Sequence, residues 1–452
     1  MSGESGSVSA EDDFSAGVPY TPAGRQMAWL LRVIADEGAS ARLSDRERYA
    51  PSLYDALTSL QDDAAWQEDF RRYASRLGAP VEVSIERSSD QEIAVLLATA
   101  KGSKWTITLT VEPDPPHRIL AIRTDRKYDF KLDVREATEA DALILADIER
   151  RCPIVMGDTS VWFERGDSYF DFSRLMEDCT IGLASVDGVP AAVSCGAEHQ
   201  VRVDGAMKTM LTVSHLRVLP EHQRKGLWGA ANSALDKYWS HVDGSAAYIS
   251  VDNLAMQHGF VNSPDKWPQV VERVELDCAT LAGPMIGRSA TPTDAGEIVR
   301  RLNAFHDTEE MFVPYTEASF SARMSRAPDL YAWDKIWMTE GALVGVWPAG
   351  NALRSITETN GASTATVPAV VLDYAFNPGF EKDLEALLRA WCASLAPRGM
   401  DTLVIYTSPA AAGAELLLGL ARATGEFFVW TPGIAVPPGA ETRGLYVDAI
   451  YF

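Results

Sequence analysis

The feature that most constrains this chain is a short segment that occurs twice. Arg135-Glu136-Ala137-Thr138-Glu139-Ala140-Asp141-Ala142 and Arg288-Ser289-Ala290-Thr291-Pro292-Thr293-Asp294-Ala295 carry Arg, Ala, Thr, Asp and Ala at the same spacing. In each, a short strand leads into a capped helix. The patterns that follow run in parallel. After the first copy come strands at 180–184 and 191–197, joined by Asp187-Gly188, a hairpin signal. Val201-Arg202-Val203-Asp204-Gly205 then turns the chain into a long strand at 209–218. A helix is expected from Gly226 to Trp239, then strands at 246–251 and 271–276. After the second copy, strands are expected at 343–347, 367–376 and 402–406, with a helix at 381–395 between the last two. Residues 351–366, rich in Thr, Ser, Asn and Gly, read as an extended hairpin loop. The shared order implies an internal duplication.

Ahead of it lies a different pattern. Thr21 and Pro22 open a helix with Met27, Leu30, Leu31 and Ile34 at helical spacing. A second helical pattern spans residues 53–77, with Leu57, Leu60, Trp66, Phe70 and Tyr73 as candidate buried positions. The period then changes to two at Val81, Val83 and Ile85, and again at Trp105, Ile107, Leu109 and Val111. A further strand is expected at 119–123, and the order is that of a small α+β unit. Residues 1–17 read as a disordered lead-in without the charged-then-apolar pattern of a signal peptide. The expected domains are thus a lead-in at 1–19, an α+β module at 20–130, and two related domains at 131–283 and 284–452.

Charge and cysteines narrow the function. A formal net charge of -22 disfavours nucleic acid; it would attract a cationic substrate such as an amine, and keeping the chain soluble accounts for it as well. No apolar run is long enough for a membrane span. Cys152, Cys179, Cys195, Cys278 and Cys392 are scattered and lack metal spacing, which suits a reducing cytoplasm and predicts no metal site. Trp333, Trp337 and Trp347 read as packing residues. His306, Asp307, Glu309 and Glu310, before Met311-Phe312-Val313-Pro314-Tyr315, read as an exposed helix end, with lining of an amine pocket as the alternative.

The segment richest in chemistry joins strand to helix: Leu216-Arg217-Val218-Leu219-Pro220-Glu221-His222-Gln223-Arg224-Lys225-Gly226-Leu227-Trp228-Gly229-Ala230. A strand ends at Pro220, a polar loop with two basic residues follows, and glycine stands at the helix start. Backbone N–H groups at a helix N-terminus suit a phosphate, and Gly226 allows close approach. A plain strand–turn–helix connection accounts for the same spacing.

This segment resembles motif A of the GCN5-related N-acetyltransferases (GNAT), in which Arg or Gln, two residues, Gly, one residue and Gly or Ala bind the cofactor pyrophosphate. Gln223 and Gly226 match the first two fixed positions; Trp228 stands at the third, where the family has Gly or Ala. Tyr248-Ile249-Ser250-Val251-Asp252-Asn253 is similar to the family's next strand and its Asn, and Gly259-Phe260 to the end of the helix after it. The helix Tyr that often serves as general acid is missing; Met256, Gln257 and His258 stand in its place, with His258 the one able to titrate near neutrality. The duplicated arrangement resembles tandem acetyltransferases such as mycothiol synthase or the Eis type. The N-terminal module resembles cystatin-like or NTF2-like domains through residues 111–119 and its helix-then-sheet order.

The resemblance implies an α+β fold: a small cystatin/NTF2-like domain, then two GNAT-like domains with mixed central sheets. It implies acetyl-CoA or another acyl-CoA as donor, and attack by a small-molecule amine on the thioester. Leu216, Arg217, Val218, Gln223, Arg224, Lys225, Gly226, Leu227, Trp228, Gly229, Ala230 and Asn253 would bind the donor. Candidate bases are His215, Glu198 and His199; the C-terminal carboxylate of Phe452 follows by resemblance to the Eis enzymes. A GNAT-fold sensor that binds acyl-CoA without transfer, and a donor held on a carrier protein, remain open, as does a homo-oligomer. The second copy has Glu381 and Asp383 where the phosphate loop should lie, so one CoA per chain is expected.

Overall fold

A computed structural model describes residues 17–35, 46–58, 80–99, 103–156, 158–165, 169–239, 241–253, 256 and 265–451 of the chain. The chain divides into two compact units, Met1–Lys131 and Leu132–Phe452. The calls on Leu60, Trp66, Phe70, Tyr73, Gln257, His258, Gly259, Phe260 and Phe452, and on most of the N-terminal lead-in, lie outside the described residues. Among the described residues, no helix is long and apolar enough to cross a membrane.

In the first unit the helix Pro22–Ala35 buries Met27, Leu30, Leu31 and Ile34, the four residues its spacing singled out. They pack on an antiparallel meander of β1 (Pro80–Ser88), β2 (Glu92–Thr99), β3 (Lys104–Val111) and β4 (Ile119–Lys127), in that order. Ile107, Leu109 and Val111 of β3 face this core as expected. β1 is different. It is an edge strand, and its alternating Val81 and Ile85 are exposed, because its one neighbour leaves most of its surface to solvent. β2 escaped the alternation test because Ile93-Ala94-Val95-Leu96-Leu97-Ala98 is a continuous apolar run.

In the second unit one sheet of 12 strands runs through both expected GNAT-like stretches. Its strands are β5 (Leu132–Glu136), β8 (Asp178–Val186), β9 (Val189–Val203), β10 (Ala206–Val218), β11 (Gly244–Ser250) and β12 (Lys266–Asp277) from the first stretch. From the second come β13 (Arg288–Ser289), β14 (Ile336–Met338), β15 (Ala342–Trp347), β18 (Pro368–Phe376), β19 (Thr402–Thr407) and β20 (Ala423–Trp430). Their order is β13-β14-β15-β18-β19-β12-β20-β11-β10-β9-β8-β5. The order is a palindrome of counterparts: each stretch supplies five strands in succession, and the last strand of each crosses to pair with the other. β12 thus lies beside β19, and β20 beside β11. β6 (Ile154–Met156) and β7 (Thr159–Arg165) join the hairpin of β16 (Leu353–Thr359) and β17 (Ala362–Thr366) in a separate sheet, so the predicted hairpin loop is a strand pair.

The repeated segment explains how each half begins. Arg135 grips Asp141 through two hydrogen bonds of 2.7 and 2.8 Å, and the same carboxylate accepts from Thr138 N. Arg288 grips Asp294 at 2.6 and 2.8 Å, and that carboxylate accepts from Thr291 N. Both are capping boxes ahead of a helix, Ala142–Arg151 and Ala295–Phe305. The arginine and the N–H bonds hold both carboxyls far below the usual range. Leu145 and Ile298, each four residues after the aspartate, are fully buried.

The helix expected from Gly226 to Trp239 needs correction. It consists of Leu227–Asn232, a 3-10 turn at Ser233–Leu235 and Asp236–Trp239. It lies very close to the sheet. A Cβ at Gly182 of β8 would sit 2.6 Å from the Ala231 carbonyl oxygen, and one at Gly196 of β9 would sit 2.7 Å from a Leu235 methyl.

Candidate functional site

β10 pairs with β9 along its whole length but with β11 only from Met210 to Thr212, opposite Gly244 to Ala246. Beyond Thr212 the two parallel strands part. Among the described residues no second strand continues the ladder on that edge of β10. The pairing with β9 is itself irregular between Ser214 and Arg217, where His215 has φ 52°. That bulge re-aims the backbone groups of residues 214–217 beside the opening.

The opening leads to the loop singled out in the sequence. Leu219 is buried and its N–H donates to the Ala191 carbonyl, which fixes the strand end. Arg224 and Gly226 both have positive φ, 62° and 83°, so the loop turns tightly and Gly226 occupies a conformation that other residues resist. Leu227 and Ala230 face the core, while Gln223, Arg224, Lys225, Trp228 and Gly229 are exposed. Arg224 and Lys225 form no ion pair with any described residue. Gln223 donates to the Val218 carbonyl. Arg217 instead turns inward, toward the buried Glu149 and the Leu216 carbonyl. Asn253 follows β11, and its side chain accepts from Met256 N.

The three candidate bases go to three environments. Glu198 and His199 are neighbours on β9 and so face opposite sides of the sheet. Glu198 accepts from His241 Nε2 at 2.6 Å. His215 stacks on Phe172, centroids 4.3 Å apart, and Phe172 also lies under the Arg165 guanidinium. Burial, then the charges of Arg165 and Arg217, holds the His215 imidazole well below its ordinary pKa.

His199 lines a cavity of about 280 Å³. Its Nε2 lies 2.8 Å from Thr212 Oγ1, and its ring stacks on Tyr451 with centroids 3.9 Å apart. Burial pushes the imidazole down to about 4, so it is neutral at pH 7. Met210 of β10 and Tyr248 of β11 also line the cavity, on either side of the point where the strands part.

The opposite wall holds residues that sequence reasoning either missed or misread. The segment read as an exposed helix end is buried at His306, Glu309 and Glu310 and supplies Met311, Val313 and Tyr315 to the cavity. Its burial follows from a bridge between Glu310 and Leu445, which tertiary folding alone creates. Arg323, from the helix Glu317–Arg326, forms two hydrogen bonds with Asp448, of 2.7 and 3.1 Å. Its Nε lies 3.6 Å from Asp373, which accepts from Tyr331 at 2.6 Å. Burial raises the Asp373 carboxyl, with Arg323 opposing. No local motif marks Arg323 or Asp448; they stand far apart in sequence and meet only in the fold.

The second half repeats the backbone device. β18 pairs with β19 only from Pro368 to Val370, and its pairing with β15 shifts register between Gly345 and Val346. Here the parted strands enclose only about 10 Å³, bounded by His306, Tyr374, Tyr406, Leu445 and Val447. That is room for no more than about one water. The helix Glu381–Leu395 follows, with Asp383 accepting from Thr339 Oγ1 and Glu381 from Gly379 N.

No protein-family model matches the chain, and no curated protein matches it. Among solved structures it is similar to Saccharomyces cerevisiae N-myristoyltransferase with bound myristoyl-CoA, at 9% identity and TM-score 0.49, over 72% of this chain and 85% of that one. It is also similar to a GCN5-related N-acetyltransferase from Kribbella flavida, at 14% identity and TM-score 0.36, over 66% and 71%. A third, a GCN5-related N-acetyltransferase from Anabaena variabilis, gives 11% identity and TM-score 0.36, over 66% and 72%.

Proposed function

We propose that this chain is an acyl-CoA-dependent N-acyltransferase that acylates the amine of a small molecule. The observation that carries the reading is the parting of β10 from β11 at Thr212, on the strand that leads into the Gly226 loop. A strand edge without a partner is where an amide-bearing chain pairs, and the pantetheine arm of CoA carries amides. The exposed Arg224 and Lys225 suit the pyrophosphate. In this reading a backbone N–H at the bulge polarises the thioester carbonyl.

The amine occupies the cavity that opens at the same point. Its nitrogen attacks the thioester carbonyl; the C–N bond forms and the C–S bond breaks. The sulfur leaves as thiolate and takes up a proton, while the surplus proton of the amine passes to an acceptor on the cavity wall. His199 is the proposed acceptor, supported by its neutral imidazole in the cavity and by the Thr212 hydroxyl beside its Nε2. A group held near 4 passes a proton on rather than keeping it.

Residues 132–452 are, in this reading, a duplicated acyltransferase unit. The palindromic strand order and the matching capping boxes support it. The second copy acts as a wall of the acceptor cavity, supported by its filled cleft and by the carboxylates at its helix start. The helix-then-meander order of the first unit supports its reading as a cystatin-like or NTF2-like module.

The test is thiol release from acetyl-CoA and longer acyl-CoAs against a panel of amines. Turnover on at least one pair is expected. Tight acyl-CoA binding without turnover on any amine would instead make the chain a sensor.

A further inference from the structure

The cavity beside His199 carries more chemistry than an unspecified amine requires. It is lined by the rings of Tyr248 and His199 on the strands, by Tyr451 stacked on His199, and by Tyr315 and Tyr446. Aromatic faces carry partial negative charge and attract cations. Apolar atoms of Met210, Met311 and Val313 fill the gaps between them.

The charged groups are matched unevenly. Arg326 donates to the Leu175 carbonyl and lies 3.8 Å from Glu177, so its charge is already answered. Arg323 is buried, and two carboxylates, Asp448 and Asp373, share its single charge. Asp373 has an oxygen, Oδ1, buried with no hydrogen-bond partner among the described residues. Asp448 lines the cavity, and among the described residues its carboxylate accepts only from Arg323 and Ile450 N. One further cation beside Asp448 would add a second positive group to a cluster in which two carboxyls share one guanidinium.

Size sets the other limit. A cavity of about 150 Å³ holds benzene, so about 280 Å³ admits a molecule of about ten heavy atoms. The geometry points to a small primary amine with an apolar, preferentially aromatic body, its ammonium against Asp448 and its body among the tyrosines. This inference rests on the acceptor reading given above and names the class of acceptor.

Calorimetry on the full chain tests it with phenethylamine, its isostere 2-phenylethanol, and phenylalanine, which adds a carboxylate to the phenethylamine frame. Phenethylamine should bind at least tenfold tighter than 2-phenylethanol, and phenylalanine, whose carboxylate would face Asp448, no tighter than the alcohol. Asp448→Asn should weaken phenethylamine at least tenfold and leave 2-phenylethanol within about twofold. Because Asp448 also holds a buried arginine, a second variant is used: Ala322→Trp, at an exposed helix position on the cavity wall, should abolish binding of both with little change in melting temperature. Equal affinity for amine and alcohol, tighter binding of phenylalanine, or unchanged binding in Ala322→Trp overturns the assignment. Thiol release from acetyl-CoA and longer acyl-CoAs is measured alongside with the same amine panel. Phenethylamine binding of this pattern without thiol release from any acyl-CoA to any amine supports the cavity assignment and removes the transferase reading. Thiol release to hydrophilic amines with no phenethylamine binding overturns the cavity assignment alone.

Discussion

The two halves of the second unit use one backbone device and put it to different use. In each, a central strand parts from its parallel neighbour, β10 from β11 and β18 from β19, and then bulges. In the first half the gap adjoins a cavity of about 280 Å³, and the loop beyond β10 exposes two basic side chains that form an ion pair with no described residue. In the second half the chain's own residues, among them His306, Leu445 and Val447, fill the gap, and the next helix begins with its own carboxylates. The difference teaches that a parted strand pair provides space for a ligand, while side chains decide whether that space is kept. Filling it in the second half contributes apolar burial at roughly 25 cal/mol per Å², which a cleft kept open forgoes.

The sharpest way to break this contrast is at Gly226. Gly226→Glu should lower acyl-CoA affinity by about a hundredfold or more, through bulk, charge and a φ of 83° that glutamate resists. Because that strain is local, Gly229→Glu is the cleaner companion: a Cβ there meets nothing within 4 Å, so an expected loss of about tenfold reports charge alone. Calorimetry showing wild-type affinity in both folded variants would remove the first cleft as the donor site.

The cavity wall gives the next largest effect. His199→Gln should lower turnover by about ten- to a hundredfold with acyl-CoA affinity near normal. His215→Ala, whose ring stacks on Phe172, should instead cost about 1–3 kcal/mol of stability while the folded fraction keeps its turnover. Reversed outcomes would exchange the two roles. Removing both loop charges, Arg224→Ala with Lys225→Ala, should weaken acyl-CoA binding by about tenfold and flatten its salt dependence, read by titration at two ionic strengths.

A smaller effect concerns pH. The folded His199 titrates near 4, below the ordinary value of about 6.5, so the unfolded chain takes up its proton first as pH falls. The stability this contributes is fully present above about 6.5 and is lost as pH falls through about 4. It amounts to about 3 kcal/mol at most, and His215 adds in the same direction. Melting curves of His199→Gln should therefore depend less on pH between about 6.5 and 4 than those of the parent. A parallel dependence would show that His199 is not held neutral. The smallest expected effect is none: Glu381→Gln with Asp383→Asn should leave one acyl-CoA per chain, because the second cleft is filled and not only repulsive. A second site in that variant would mean that charge alone distinguishes the halves.

What the sequence by itself determined was local. The hairpin at Asp187-Gly188, with φ values of 51° and 83°, the helix Glu381–Leu395 and both capped helix starts follow from backbone chemistry within a few residues. So does the glycine at the helix start after β10, where Gly226 is the N-cap. The broken helix after it was not legible, because its course answers to how closely it approaches Gly182 and Gly196 on the sheet. Only the tertiary structure decided that β12 and β20 cross between halves, that His199 rather than Glu198 or His215 faces the cavity, and that Arg323 meets Asp448. These are contacts between residues far apart in the chain. Their energies come from burial and charge pairing at the meeting point, and no pattern at either end records them.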